Sequence, residues 1–352
     1  MAAAGKRYRV VQWATGNVGS RSLRHIINHP DMELAGVYVH SASKAGMDAG
    51  DLAGTAPTGV KATNSMADIL ALKADCVMYM PHVFNPDELA AILESGANVV
   101  STRMELQNPA TLDPAVREKI AAACAKGNSS VHASGSSPGF ISEAMPVVLA
   151  SIQRRLDKMT INEFADCSSR NSPEMIFEMM GFGADPASGV NHHVLDHFKS
   201  SFSGTLMLTA DALGLPIDTV EVRGALGIAR NDVTIAAGTV PKGTVAATRY
   251  VVTAMRAGKP LMEFIATWYV SADVDTTDGE TWDFRKSGWS VLVEGDCPLD
   301  ITIGFPVAEE DYAEMTPGLT ANRPINAVPY VCEAPAGFQT TFDLPQIVAK
   351  LG

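Results

Sequence analysis

The sequence is poor in the features that mark several large classes of protein. Its five cysteines (Cys76, Cys124, Cys167, Cys297 and Cys332) stand singly, with no C-x-x-C pair. That spacing fits reduced thiols and argues against a disulfide framework or a zinc knuckle. No uninterrupted apolar run approaches the ~18 residues of a membrane span, and the N-terminal MAAAGKRYRV lacks the apolar stretch of a secretory leader. Positive charge is in short supply: 27 Lys and Arg against 39 Asp and Glu leave a formal net charge of -12. No field therefore favours a nucleic-acid backbone or an anionic membrane surface. Internal repeats and low-complexity tracts are missing too. The expectation is a soluble cytoplasmic protein whose partners are small molecules.

What the chain does have is apolar material in a regular order. Its 352 residues, 46% of them hydrophobic, exceed the ~250–300 at which one core usually divides, so two domains are expected. Apolar runs of strand length occur at Arg7 to Ala14, Glu33 to His40, Val60 to Thr63, Asp75 to Met80, Asn98 to Thr102 and Ser130 to Ala133. They alternate with GSRSLRHIINH, SMADILALK, NPDELAAILESG and DPAVREKIAAACAKG, which have helical periodicity. The alternation predicts an α/β fold with a Rossmann-type doubly wound parallel sheet over residues 1–140. In the third of these helices Asn85 is placed as N-cap, Pro86 in the first turn and Gly96 past the end. Over 141–320 the helical stretches FISEAMPVVLASIQRRL, SPEMIFEMMGF and GVNHHVLDHFKSSFSGTLMLTADALG precede β-rich runs such as TVAATRYVVTAM, LMEFIATWYVSAD and WSVLVEGD. This order predicts a second, α+β domain for substrate and oligomerisation, with an antiparallel or mixed sheet. The tail, TANRPINAVPYVCEA and onward, is helical in pattern, and 321–352 is expected to pack back on the first domain.

Between the first strand and first helix lies Ala14-Thr15-Gly16-Asn17-Val18-Gly19. This is the dinucleotide fingerprint G-x-G-x-x-G with alanine in its first place. The second glycine lets a pyrophosphate approach the backbone and the third lets helix and strand pack closely, while the helix N-terminus offers free N–H groups. Thr15, Gly16, Asn17 and Val18 are therefore candidate cofactor contacts; the alternative is an ordinary strand-to-helix turn. After the second strand comes VYVHSASKAG. There an NAD-binding fold would place an acid for the ribose 2'-hydroxyl. His40, Ser41, Ser43 and Lys44 offer donors and a positive charge, and the nearest acid downstream is Asp48. NADP(H) is the first expectation and NAD(H) an accepted second, against the plainer reading of Lys44 as a solvated loop lysine.

Ligands of an open α/β sheet sit outside the carboxyl ends of its strands. Pro81 and His82 follow the fourth strand and belong near the cofactor; Thr102 and Glu105 follow the fifth, near the nicotinamide. Glu105 lies between Met104 and Leu106, and a carboxylate desolvated in such a cleft is suited to proton transfer. A surface glutamate in a salt bridge would fit the position as well. HASGSSPGFISEA closes the first domain with Gly135, Pro138 and Gly139, as a hinge that also puts Phe140 on the substrate side.

Together VVQWATGNVGSRSLR, STRMELQNP and GSSPGF resemble a family with a dihydrodipicolinate reductase-like N-terminal domain, within it the 2,4-diaminopentanoate dehydrogenase-like group and native bacterial amine dehydrogenases. The likeness extends over nearly the whole chain and is densest at residues 8–145. It implies an NAD(P)-dependent oxidoreductase that interconverts an amine with a ketone or aldehyde plus ammonia. In such enzymes a glutamate after the fifth strand is the key catalytic group, and Glu105 is at the matching place. The sequence departs from dihydrodipicolinate reductase itself, whose His-His pair precedes K-x-D-A-P-S-G-T, since DPASGVNHHVLDHF has similar residues in another order. Alanine at 14 departs from the glycine usual in amine dehydrogenases. An amino-acid-type dehydrogenase, an imine reductase and a non-enzymatic NADP sensor stay open as alternatives.

For the substrate, Phe140 with Asn171, Met175, Phe177 and Met179 of SSRNSPEMIFEMMGF forms a candidate apolar wall for small unfunctionalised carbonyl compounds. The same residues fit plain helix core. Arg170 is the candidate for the carboxylate clamp that an amino-acid substrate would need. His193 and His197 have a metal-compatible spacing on a helix, but the glutamate of H-E-x-x-H is missing and no metal is expected. Long apolar strands in the second domain predict a homodimer.

Overall fold

The computed structural model describes residues 6–308 and 311–350. It divides into two compact units, Met1–Phe140 with Glu314–Gly352, and Ile141–Ala313. The first begins β1 (Tyr8–Trp13), α1 (Asn17–Asn28), β2 (Met32–Tyr38), α2 (Ala49–Ala53), β3 (Ala62–Thr63) and α3 (Met66–Ala71). It continues β4 (Cys76–Tyr79), α4 (Pro86–Glu94), β5 (Asn98–Ser101), α5 (Pro114–Gly127) and β6 (Ser130–Ala133). Strand ends fall within two residues of the sequence reading. Helix α4 has the expected punctuation: Asn85 accepts the Asp87 and Glu88 N–H groups, and Pro86 occupies its first turn.

The second unit contains α6 (Met145–Ala150), β7 (Leu156–Asp166), α7 (His192–Ala212), β8 (Thr219–Ala229), β9 (Val233–Ile235), β10 (Gly238–Val240) and β11 (Val245–Arg256). β12 (Lys259–Tyr269), β13 (Val274–Thr276), β14 (Gly288–Gly295) and β15 (Leu299–Gly304) follow. Seven strands form one sheet in the order β13-β8-β11-β12-β7-β14-β15, with β9 and β10 as a separate hairpin. Only β7 and β12 run parallel within it. Helix α7 lies on this sheet through ring stacks, Phe198 on Tyr250 and Phe202 on Phe264, with centroids 4.6 and 3.7 Å apart. Two helical expectations need correction. The stretch FISEAMPVVLASIQRRL leaves the helix after Ala150, and Leu156 opens β7, a strand paired on both sides whose Met159 and Ile161 are fully buried. SPEMIFEMMGF gives only a short wide turn, Glu174–Met179, closed by the Met180 N–H on Met175 O at 2.9 Å.

The chain then returns to the first unit with α8 (Tyr312–Cys332) and β16 (Gly337–Gln339). The completed first sheet runs β16-β6-β5-β4-β1-β2-β3, with every pairing parallel. The predicted doubly wound parallel sheet is thus present, extended by a seventh strand too short to have been visible in the sequence. Parallel sheets need cover on both faces. On one face Val11, Trp13, Val77 and Tyr79 pack with Leu89, Ile92 and Ile120 of α4 and α5. On the other, Val10, Cys76, Met78 and Val100 pack with Ile26 of α1 and with Ile325, Val328 and Val331 of α8. Helix α8 holds this place despite three internal prolines, Pro317, Pro324 and Pro329, each of which removes a backbone donor. Because β1 lies between β2 and β4, the strand order reverses there and the carboxyl ends open into a crevice.

Candidate active site

The turn after β1 is tightly made. Ala14 has φ 70°, in the left-handed region where the fingerprint usually has glycine. Its N–H donates to Tyr38 O and its carbonyl accepts from Gln12 Nε2, both at 2.9 Å. Gln12 is fully buried, and its Oε1 accepts the Ser22 hydroxyl of α1 at 2.6 Å. One side chain thereby laces strand, turn and helix together, a role that nothing in the linear sequence signalled.

The two remaining glycines answer to different demands. A Cβ at Gly19 would collide with the Ala14 carbonyl and lie 3.2 Å from Gln12 Nε2, so the close fit of α1 on β1 requires glycine there. At Gly16 the backbone is unstrained, φ -72°, and a Cβ would meet nothing within 4 Å. The fold itself does not need glycine at 16; the clearance suits a group that is not part of the chain. Helix α1 also has no side-chain cap and no acid in its first turn, whereas α2 to α5 are capped by Asp48, Ser65, Asn85 and Asp113. Its leading N–H groups and positive dipole end fit a pyrophosphate. Of the other turn residues, Thr15 is buried, Val18 packs into the core below, and Asn17 Oδ1 accepts from Arg21 Nη1 at 2.6 Å.

The loop after β2 is drawn onto this turn. Lys44 Nζ donates to Thr15 O at 3.0 Å and lies 3.3 Å from Thr15 Oγ1. The Ser41 and Ser43 hydroxyls bond each other at 2.7 Å. His40 is exposed, its ring edge-on to Tyr38 at 5.1 Å and its Nε2 3.8 Å from Glu88 Oε1. Helix α4 therefore brings an acid to a loop that has none of its own. Asp48 is occupied elsewhere: its carboxylate accepts the Thr58, Gly50 and Gly59 N–H groups, which hold it down at about 2.

Pro81 is buried and His82 exposed at the end of β4. The Ser101 hydroxyl donates to Tyr79 O at 2.6 Å and accepts the Arg103 N–H at 3.0 Å, which fixes the path of the chain through Thr102. Arg103 then grips Glu105: Nε lies 3.1 Å from Oε2, and Nη2 bonds Oε1. The same guanidinium donates through Nη1 to His82 O at 2.7 Å, so the exits of β4 and β5 are tied together. The desolvated carboxylate expected from the apolar neighbours of Glu105 is not what the structure has. The Glu105 side chain is 39% exposed and carries a forked cation across both oxygens.

Phe140 is half-buried, its N–H on Gly135 O at 2.9 Å, at the end of the loop after β6. In the second unit Asn171 is exposed, Met175 receives Arg170 Nη1 on its sulfur at 3.6 Å, and Met179 is 65% exposed. Phe177 packs onto the apolar core of that unit and lines a shallow hollow with Phe182 and Pro241. His193 and His197 lie a turn apart on α7. Among the described residues no group of three or more His, Cys, Asp or Glu could hold a metal ion, and no helix is long and apolar enough to cross a membrane.

A doubly wound sheet with an uncapped, glycine-cleared first turn has the form of a dinucleotide-binding domain, and its relatives make this chain an NAD(P)-dependent oxidoreductase. Within that class, residues 140–352 match the 2,4-diaminopentanoate dehydrogenase C-terminal domain, and the chain belongs to that family. It is 27% identical to an amine dehydrogenase of Streptomyces virginiae, over 97% of this chain and 98% of that one. The fold is shared with a solved amine dehydrogenase of Mycobacterium smegmatis at a TM-score of 0.75 and 18% identity, covering 98% of each chain. A putative oxidoreductase from Magnetospirillum magnetotacticum MS-1 has the related fold at a TM-score of 0.51 and 15% identity, covering 93% of each.

Proposed function

We propose that this enzyme catalyses the reversible reductive amination of small ketones or aldehydes with ammonia to primary amines, with Glu105 as its acid/base. The observation that carries the reading is Glu105 itself, a half-exposed carboxylate at the carboxyl edge of the nucleotide-binding sheet, held by Arg103. Likeness to the Streptomyces virginiae amine dehydrogenase supports it.

A bound nicotinamide would supply the hydride. Thr15 to Val18 and the α1 N-terminus hold the pyrophosphate, with Lys44 on the rim of that turn. Glu105 takes a proton from ammonium, which frees ammonia to add to the carbonyl as a carbinolamine, returns that proton to the hydroxyl as it departs as water, and holds the cationic iminium by its negative charge. Arg103 keeps the carboxylate at the edge of β5 until the substrate cation competes for it. Phe140, Asn171, Met175 and Phe177 are assigned to the substrate pocket. Arg170, engaged with the Met175 sulfur, does not act as a carboxylate clamp in this reading.

NADPH is assigned as the preferred coenzyme because Lys44 is fixed beside the turn, with NADH accepted. The enzyme is assigned as a homodimer, which light scattering would test by its mass. The decisive assay follows NADPH and then NADH at 340 nm with small carbonyl compounds, with and without excess ammonium. Oxidation that requires ammonium is the expected result; oxidation without it would make the enzyme a carbonyl reductase and overturn the reading.

A further inference from the structure

Two residues beyond Glu105 stands a side chain that the chemistry above does not use. Gln107 is 3% exposed. Its Nε2 donates to Pro138 O at 3.2 Å, joining the loop after β5 to the loop after β6. A carbonyl can only accept, so this bond settles which end of the amide is which. Gln107 Oε1 is then a buried acceptor with no donor among the described residues. The Ser137 hydroxyl, next to Pro138 in the same loop, is a second buried polar atom without a partner. Buried polar groups are rarely left unmatched, since each loses its water on folding and gains nothing in return.

The location narrows what could match them. Strands β5 and β6 are adjacent and parallel, with Ser101 opposite Ala133, and both loops leave their carboxyl ends, where the ligand of a doubly wound sheet lies. The acceptor is neutral, and the anionic Glu105 is the natural seat for a cationic amine. What fits a neutral acceptor, anchored through its own amide to Pro138, and a hydroxyl donor one residue before that proline is a neutral group offering one N–H and one carbonyl. We propose that Gln107 Oε1 receives the carboxamide N–H of the nicotinamide, with the Ser137 hydroxyl donating to the carboxamide oxygen. This contact would fix which face of the ring is turned toward the substrate. The proposal rests on the nicotinamide reading above.

The test compares three ligands by titration calorimetry: the oxidised nicotinamide coenzyme, its 3-acetylpyridine analogue, which keeps the carbonyl but has methyl in place of NH2, and ADP-ribose with the same 2' substituent as the coenzyme, which lacks only the ring. Wild type is expected to bind the coenzyme roughly tenfold more tightly than the analogue, the scale of one neutral hydrogen bond. Gln107→Met should abolish that preference while leaving the analogue and ADP-ribose unchanged. Ser137→Ala, at a partly exposed loop position, should weaken coenzyme and analogue alike by several-fold and spare ADP-ribose. An equal loss for all three ligands in Gln107→Met would reveal a loop brace and overturn the proposal. A raised KM for ammonium with unchanged coenzyme binding would assign the acceptor to the amine and overturn it too. Wild type that binds ADP-ribose but neither ring-bearing ligand more tightly overturns the carboxamide contact alone, whereas wild type that binds none of the three overturns the nicotinamide reading with it.

Discussion

Arg103 and Glu105 form a forked pair across the exit of β5, Nε to Oε2 at 3.1 Å and Nη2 to Oε1, while the third arm of the guanidinium holds His82 O at 2.7 Å. The carboxylate is thus placed by a partner two residues away in the chain and by a strand exit some twenty residues upstream. With Glu105 as the proposed acid/base, Glu105→Gln keeps the shape while removing the proton acceptor and the charge, and ammonium-dependent turnover should fall by about 10²–10⁴. Arg103→Met removes only the grip and should cost less, on the order of tenfold. Steady-state rates at saturating coenzyme check both, and a larger loss in Arg103→Met would transfer the central role to the arginine.

Gly16 and Gly19 should separate under substitution. Gly16→Ala meets open space on an unstrained backbone, so folding should be kept while dinucleotide affinity drops by roughly ten- to a hundredfold, since the methyl occupies the phosphate's approach. Gly19→Ala drives a methyl into the Ala14 carbonyl and should destabilise the first unit by about 1–3 kcal/mol, the usual cost of forced overpacking. Urea unfolding alongside coenzyme titration distinguishes the two.

Ala14→Gly tests the opposite case. An alanine at φ 70° bears a left-handed backbone that costs an L-residue about 1–2 kcal/mol, against roughly 0.5–1 kcal/mol of added chain freedom in the unfolded state. The variant should be as stable as wild type or more so by up to about 1.5 kcal/mol. A clear loss in the urea midpoint would contradict this.

Burial pushes the His132 imidazole down to about 4 from its ordinary 6.5. Its Nδ1 donates to Gln339 O at 2.8 Å, pinning β16 to β6. The unfolded chain takes up a proton near pH 6.5 that the fold refuses until about pH 4. Stability contributed by the neutral form is therefore complete above pH 6.5 and falls as the pH drops toward 4. His132→Asn, which keeps a donor and does not titrate, should flatten the stability curve across that window. Identical curves for the two proteins would show that other groups govern it.

Asp48 works in a lower window. Three backbone N–H groups and the Thr58 hydroxyl, at 3.1 Å, stabilise its charged form, so its contribution is fully present above its ordinary 3.8 and fades as the pH falls toward about 2. The difference in stability between wild type and Asp48→Asn should be large at neutral pH and shrink below pH 4. A difference that stays constant with pH would contradict this assignment.

Much of the first unit was legible because its signals are local. The burial of β1, β4 and β5 shows as apolar runs, the cap of α4 as Asn85 beside Pro86, and the turn at Ala14 to Gly19 as spaced glycines. The second unit was harder. In β7 the charged Asp157, Lys158 and Glu163 obscured an alternation that became meaningful only once β12 and β14 paired on either side. The three residues of β16 are too few for any periodicity to emerge.

The sequence by itself determined the order of strands and helices, the glycine-bearing turn and the place of Glu105 after the fifth strand. These follow from apolar spacing and backbone stereochemistry within a few residues. Only the tertiary structure decided what those residues meet: Lys44 on Thr15, Glu88 opposite His40, Gln12 lacing the turn, Gln107 reaching Pro138 and Arg103 bracing Glu105 against His82. Such contacts join separate strand exits, and they come into existence only when the parallel sheet has set its strands side by side.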